Sequence, residues 1–214
     1  MRKITDIYEE YKILPNLQMH QLRVAAVTYQ ICQNINLEID KNLIVSAGLL
    51  HDMGNIIKAM LDYFPEFLEP EGIQYWQKVQ NEYFEKYGHN EHEATLMILK
   101  ELNLNKEILE IVSKIGYPYV KEVVESSNFN IKICAYADFR VSPHSVLSID
   151  GRAEESRKRY EGRKSDVTPE EREIRHKYIQ EIEKQIFSHA KINPEDINDE
   201  SISKIIEGLK NFEI

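Results

Sequence analysis

A chain of 214 residues, 42% of them hydrophobic, is long enough to bury one sizeable core, and its formal net charge of -9 comes with no basic stripe. That balance argues against a stable nucleic-acid complex. It leaves anionic ligands open wherever a metal or a local arginine cluster offsets the acid. No run approaches the length of a membrane span, and MRKITDIYEEYK at residues 1–12 has no apolar secretory core. Cys32 and Cys134 both lie in apolar stretches and read as reduced thiols, so the expected compartment is the cytoplasm.

Glycine and proline are scarce, at 8 and 7 residues, and charged residues recur at helical spacing, so the fold class expected is all-α. Pro15-Asn16 precedes a helix over about 17–34, and Asp40 is placed to cap a second one running to about Leu50. The proline-containing stretch YFPEFLEPEG breaks the pattern at 63–72. A helix with the lone tryptophan, Trp76, then runs to about Lys86, and another covers about 90–102. Asn105 caps a helix over 106–115 that stops at Gly116, and Ser126 or Ser127 begins one that ends near Arg140. The following RVSPHSVLSIDGR reads as loop, and residues 152–164 are dense in Arg, Lys and Glu. Thr168-Pro169-Glu170-Glu171 combines a cap, a first-turn proline and a capping-box glutamate, and opens a helix to about 190. Asn193-Pro194 and Asp199 start the last short helices. The composition shift divides the chain into a bundle at 1–145 and a C-terminal helical extension at 146–214, packed on the same domain.

Several polar side chains fall on faces that should be buried. His20 shares a stripe with Leu17, Val24, Val27 and Ile31. His51 continues the stripe of Leu43, Ile44, Ala47 and Leu50, with Asp52 about 100° further round. Asp138 shares a face with Ile131, Cys134 and Ala135, and His89 and His92 share one with Leu96 and Leu99. Any one of these has a plain structural reading, as a hydrogen-bonded core histidine or an inter-helix ion pair. Together they ask for a common partner, because an unpaired buried carboxylate costs several kcal/mol. A divalent cation would satisfy two imidazoles and two carboxylates at once. This mixed N/O set suits Mn, Fe, Ni, Co or Zn better than Mg.

The order His20, His51-Asp52, Asp138, in QMHQLRVA, GLLHDMGN and YADFR, resembles the HD-domain superfamily of metal-dependent phosphohydrolases. The resemblance covers about residues 15–142 and implies an all-α HD-domain bundle with His20, His51, Asp52 and Asp138 as metal ligands. In two-metal members Asp52 would bridge, and His89 and His92 are the candidates here for a second ion. GHNEHEA departs from the family's H-x-x-x-G-A stretch by having Glu93 for glycine. Many members read HDxGK where this chain has HDMGN, so the phosphate-contacting lysine is missing at Asn55 or displaced to Lys58.

A metal-dependent phosphohydrolase needs positive charge for the phosphate oxygens as well as an activated water. The residues expected to take part beside Asp52 are Lys58 and Arg140 in catalysis, and Arg23, Asn55 and Arg152 in substrate binding. The 152–164 stretch reads first as a solvated helix with Glu–Arg pairs, with contact to a nucleotide's phosphates as the alternative. Tyr63, Phe64, Trp76 and Tyr117 are candidates to stack a base or to line the groove. The expected partner is a small phosphorylated substrate, such as a nucleotide, with no membrane and with a homodimer left open. The competing readings are a nucleotide-sensing regulatory domain and a di-iron oxygenase of the related type; the latter needs more histidine ligands than the sequence offers.

Overall fold

The computed structural model describes residues 2–162 and 167–214, and among these it contains eleven α-helices and no strand. They are α1 (Ile4–Glu10), α2 (Pro15–Asn34), α3 (Lys41–Leu50), α4 (Ile73–Tyr87), α5 (Glu91–Glu101), α6 (Lys106–Val112), α7 (Val120–Glu125), α8 (Phe129–Arg140), α9 (Ile149–Arg159), α10 (Pro169–Phe187) and α11 (Asp199–Leu209). Short 3-10 segments lie at Asn55–Lys58, Pro65–Leu68, Tyr117–Tyr119 and Pro194–Asp196. No described helix is long and apolar enough to cross a membrane.

The stripes expected from sequence form the core. On α2, Val24, Val27 and Ile31 are fully buried, as are Ile44, Leu49 and Leu50 on or ending α3. Burying each such side chain contributes about 1.5–3 kcal/mol. The apolar faces of α2, α3 and α8 pack on one another at the centre, with α6 against α3. Gly48 permits the close crossing of α2 and α3, since a Cβ there would stand 3.1 Å from Ala25 Cα. Residues of the expected extension also reach the centre: α11 lies on α2, and α10 packs on α7 and α8.

The predicted caps at Asp40, Asn105 and Thr168 accept from Leu43, Ile108 and Glu171 backbone amides at 3.0, 2.9 and 3.1 Å. Several features differ from the sequence reading, among them α6, which ends at Val112 before the expected 115. Helices α1 and α7, of 7 and 6 residues, are too short to show a period and form through burial of Ile4, Ile7, Val120 and Val123. Helix α8 starts later than either serine suggested, with Asn128 as its cap, because Ser126 closes α7 and spends its Oγ on the Asn128 amide. The loop after Arg140 is shorter than expected: Ser148 caps α9 by accepting from the Gly151 amide at 3.0 Å, so Arg152 is helical. Arg163 and Lys164 of the basic stretch lie outside the described residues.

Candidate metal centre

Helix α3 ends at the His-Asp pair. His51 occupies its C-cap, and its Nδ1 is 2.8 Å from the Gly48 carbonyl, to which it can only donate. That bond aims Nε2 away from the helix. Nε2 is buried and has no hydrogen-bond partner, and the His51 side chain is 1% exposed. Around it lie His20 Nε2 from α2, Asp52 from the turn and Asp138 from α8. His51 Nε2 is 3.6 Å from Asp52 Oδ2 and 3.4 Å from Asp138 Oδ1; His20 Nε2 is 3.7 Å and 3.2 Å from the same two oxygens. His20, His51 and Asp52 each offer a donor atom within 4.8 Å of the others. Asp138 meets both imidazoles, so three core helices and one turn deliver four donors to one point.

The surroundings orient these donors. Asn55 Nδ2 donates to Asp52 Oδ2 at 2.6 Å, and the Asp52 amide donates to Gln21 Oε1 at 3.2 Å. The turn itself is clamped to α5: Gly54 N donates to Thr95 Oγ1 at 2.9 Å, and a Cβ at Gly54 would fall 2.4 Å from the Glu91 carbonyl oxygen. From the other side α4 holds it, with Gln80 Nε2 donating to the Ile56 and Ala59 carbonyls at 2.8 and 2.9 Å.

Burial alone would depress the His51 imidazole, but Asp52 and Asp138 outweigh it and push the pKa up to about 9. Burial likewise favours a neutral Asp138, yet the His20 hydrogen bond and the nearby charge of both imidazoles hold its carboxyl well below the usual range. Without an ion the centre thus holds itself together as imidazolium and carboxylate. An orphaned imidazole nitrogen facing two carboxylates and a second imidazole fits a divalent cation, whose charge would replace the proton.

The centre forms part of the lining of a cleft of about 580 Å³. The cleft is also lined by Phe64 and Phe67 of the 59–72 segment, Tyr117 and Tyr119, His92 of α5, and Arg152 of α9. Because residues three apart eclipse in a 3-10 turn, Lys58 stands over Asn55 and lines the cleft, 3.4 Å from Glu91 Oε1. Burial lowers the Lys58 pKa, but Asp52, Glu91 and Asp138 more than offset this and raise it, so the ammonium is charged and within reach of the centre.

Not every residue expected at the site arrives there. Arg140 is buried and turned away from the cleft. Its guanidinium donates to the Leu147 carbonyl, the Tyr136 hydroxyl, and the Pro194 and Ile197 carbonyls at 3.2 and 3.0 Å. It cross-links α8 to the C-terminal segment and does not touch the phosphate position assigned to it. Arg23 is similarly engaged, donating to the Pro143 carbonyl at 3.0 Å, and does not line the cleft. His89 is exposed and stacked 4.6 Å from Phe84, away from the lining; His92 lines it, 5.1 Å from the Tyr119 ring. Asn55 and Arg152 do line it. Sequence reasoning passed over Gln21 and Thr95, and named Arg159 only as part of the basic 152–164 stretch; the cap at Ser148 is the signal that would have placed Arg159 on the cleft side of a helix.

An all-α core brings two imidazoles and two carboxylates together at a cleft, a donor set that fits a divalent cation. A family model for the HD domain matches residues 18–209, so the chain belongs to the HD-domain family, a superfamily of metal-dependent phosphohydrolases that bind divalent cations. No curated protein and no solved structure matches the chain.

Proposed function

We propose that this protein is a metal-dependent phosphohydrolase acting on a nucleotide or another small phosphate ester. The observation that carries the reading is the buried His51 Nε2, without a hydrogen-bond partner and facing Asp52, Asp138 and His20 beside an open cleft. His20, His51, Asp52 and Asp138 are the residues that would hold the ion, which when bound supplies a Lewis acid for a phosphoryl oxygen and lowers the pKa of water. Gly48 fixes the ring of His51, and Asn55 fixes the carboxylate of Asp52. Lys58 brings its ammonium to the phosphate oxygens as charge develops on them. Arg152 takes substrate from the α9 side, and Phe64, Tyr117 and Tyr119 supply flat walls on which a base can stack. His20, His51 and Asp52 are the one compact His/Cys/Asp/Glu group among the described residues, which supports a single ion per chain over a di-iron oxygenase.

Residues 146–214 serve this site as part of the same domain, since α9 lines the cleft and α11 covers α2. The unpaired thiols of Cys32 and Cys134 support a cytoplasmic location. The test is release of phosphate from p-nitrophenyl phosphate and a nucleotide panel by protein loaded with Mn²⁺, Co²⁺ or Ni²⁺. Turnover is expected with at least one ion and is expected to vanish in Asp52→Ala. A metal-loaded protein that releases no phosphate from any ester would favour a sensor and end the hydrolase reading.

A further inference from the structure

The α9 wall of the cleft carries a second arrangement of charge. Helical spacing puts Arg152, Ser156 and Arg159 on one face, and all three line the cleft. Between the arginines sits Glu155. Arg152 Nη1 donates to its Oε2 at 2.7 Å, Arg159 Nη2 to the same oxygen at 3.4 Å, and Arg159 Nε stands 2.8 Å from Oε1. Arg152 Nε is fixed to the Val141 carbonyl at 2.9 Å, three residues beyond Asp138. Two guanidiniums against one carboxylate leave a surplus positive charge.

That surplus is partly removed from water, with the two arginine side chains 14% and 16% exposed. Among the described residues Arg159 Nε is buried and makes no hydrogen bond, although it stands 2.8 Å from Glu155 Oε1. On the same helix Lys158 and Glu154 pair in open solvent, 74% and 61% exposed, as an ordinary surface couple does. Tyr117 lies in the cleft with both this wall and the metal centre. Its side chain lines the same cleft as Arg152, Arg159 and Asp138.

We propose that Arg152 and Arg159 form a second anion site in the cleft, which takes a phosphoryl group of the substrate other than the one at the metal centre. Substrates of this site carry two phosphoryl groups, as a diphosphate ester or a bisphosphate. Planar guanidinium forks match phosphate oxygens two at a time, and Glu155 keeps the pair aligned while no substrate is present. The proposal rests on the phosphoester reading above and narrows its substrate class.

The test is calorimetry on the full chain loaded with Mn²⁺, using methylphosphonate and methylenediphosphonate, neither of which can be hydrolysed. The diphosphonate is expected to bind about tenfold more tightly or better. Arg159→Ala is expected to erase that advantage and leave methylphosphonate affinity unchanged. Glu155→Gln, which releases both guanidiniums, is expected to widen it. An advantage that survives Arg159→Ala overturns the proposal. So does an equal loss for both probes, which would assign the arginines to the group at the metal centre. Should Arg159→Ala fail to fold, an unchanged advantage in Glu155→Gln overturns the proposal by itself. A diphosphonate preference that depends on Arg159 in a protein releasing no phosphate from any ester would end the hydrolase reading and keep the anion site; turnover without the preference would do the reverse.

Discussion

The metal centre and the α9 wall are both built from charged side chains, and they handle burial differently. At the centre the donors come from α2, α3, the turn after it and α8, and each is oriented by a neighbour: His51 by Gly48, Asp52 by Asn55. On α9 the charges come from a single helix, with Glu155 between two arginines and Arg152 also held by the Val141 carbonyl. The first arrangement depends on the core for its geometry. The second needs a helix that starts in the right place and one carbonyl outside it, Val141, which holds Arg152. A polar residue on a buried stripe is therefore conspicuous in a sequence, whereas a charged helix facing a cleft reads like any solvated one.

The largest effect is expected where the two regions meet. Arg140 joins α8 to Leu147 and to the Pro194–Ile197 carbonyls, and so steadies the approach to α9. Arg140→Leu leaves buried carbonyls unpaired and is expected to cost about 3 kcal/mol or more, a fall in Tm on the order of 10 °C. Metal affinity of the folded fraction should be unchanged. A variant that melts normally yet loses turnover would return Arg140 to the chemistry.

Asn55→Ala should act on the centre alone. It removes the donor that fixes Asp52, and metal affinity is expected to fall roughly 10–100-fold, the usual range for an outer-shell partner, measured by competition with a chromogenic chelator. An equal loss on the diphosphonate advantage of α9 would break the separation of the two regions.

Proton linkage sharpens the contrast further. The His51 pKa is raised above its unfolded value, so its contribution to stability is complete below about pH 6.5 and is lost as pH rises through about 9. The chelator-treated protein should therefore melt at a lower temperature at pH 10 than at pH 7. Asp138, held low, belongs to the same interaction, which persists down to the acid range and fails as pH falls through its lowered value. A cation must displace the His51 proton, so its apparent affinity should rise about tenfold per pH unit between pH 6.5 and 8.5. A flat profile would mean that His51 is not a ligand. The smallest effect is expected from Lys158→Ala, on the outer face of α9, which should leave Tm and both phosphonate affinities unaltered.

Much of this was legible from residues alone, for identifiable reasons. His20, His51 and Asp138 lie on stripes whose other members are Val24, Leu50 and Ala135, and burying such groups without compensation is costly enough to mark them. Asp40, Asn105 and Thr168 could be placed as caps because each precedes an apolar period. What escaped was direction. Arg140 lies two residues beyond Asp138 on α8, but its side chain leaves from another face and satisfies carbonyls some 54 and 57 residues away. Lys58, by contrast, was expected near the site from its spacing to His51, and it lines the cleft through the 3-10 turn Asn55–Lys58.

The fit of Gly54 against α5 has a consequence for how the molecule can vary. With no room for even a methyl group between this backbone and the Glu91 carbonyl, the loop bearing Asp52 and the start of α5 are one mechanical piece. Shifting either drags His92 and Asn90, so the mouth of the cavity cannot be reshaped from that side without disturbing His51 and Asp52 beneath it. Variation that alters what enters must instead fall on the aromatic segment before α4 or on α9, and a saturation library scored for ion binding should tolerate change there and reject every replacement at position 54.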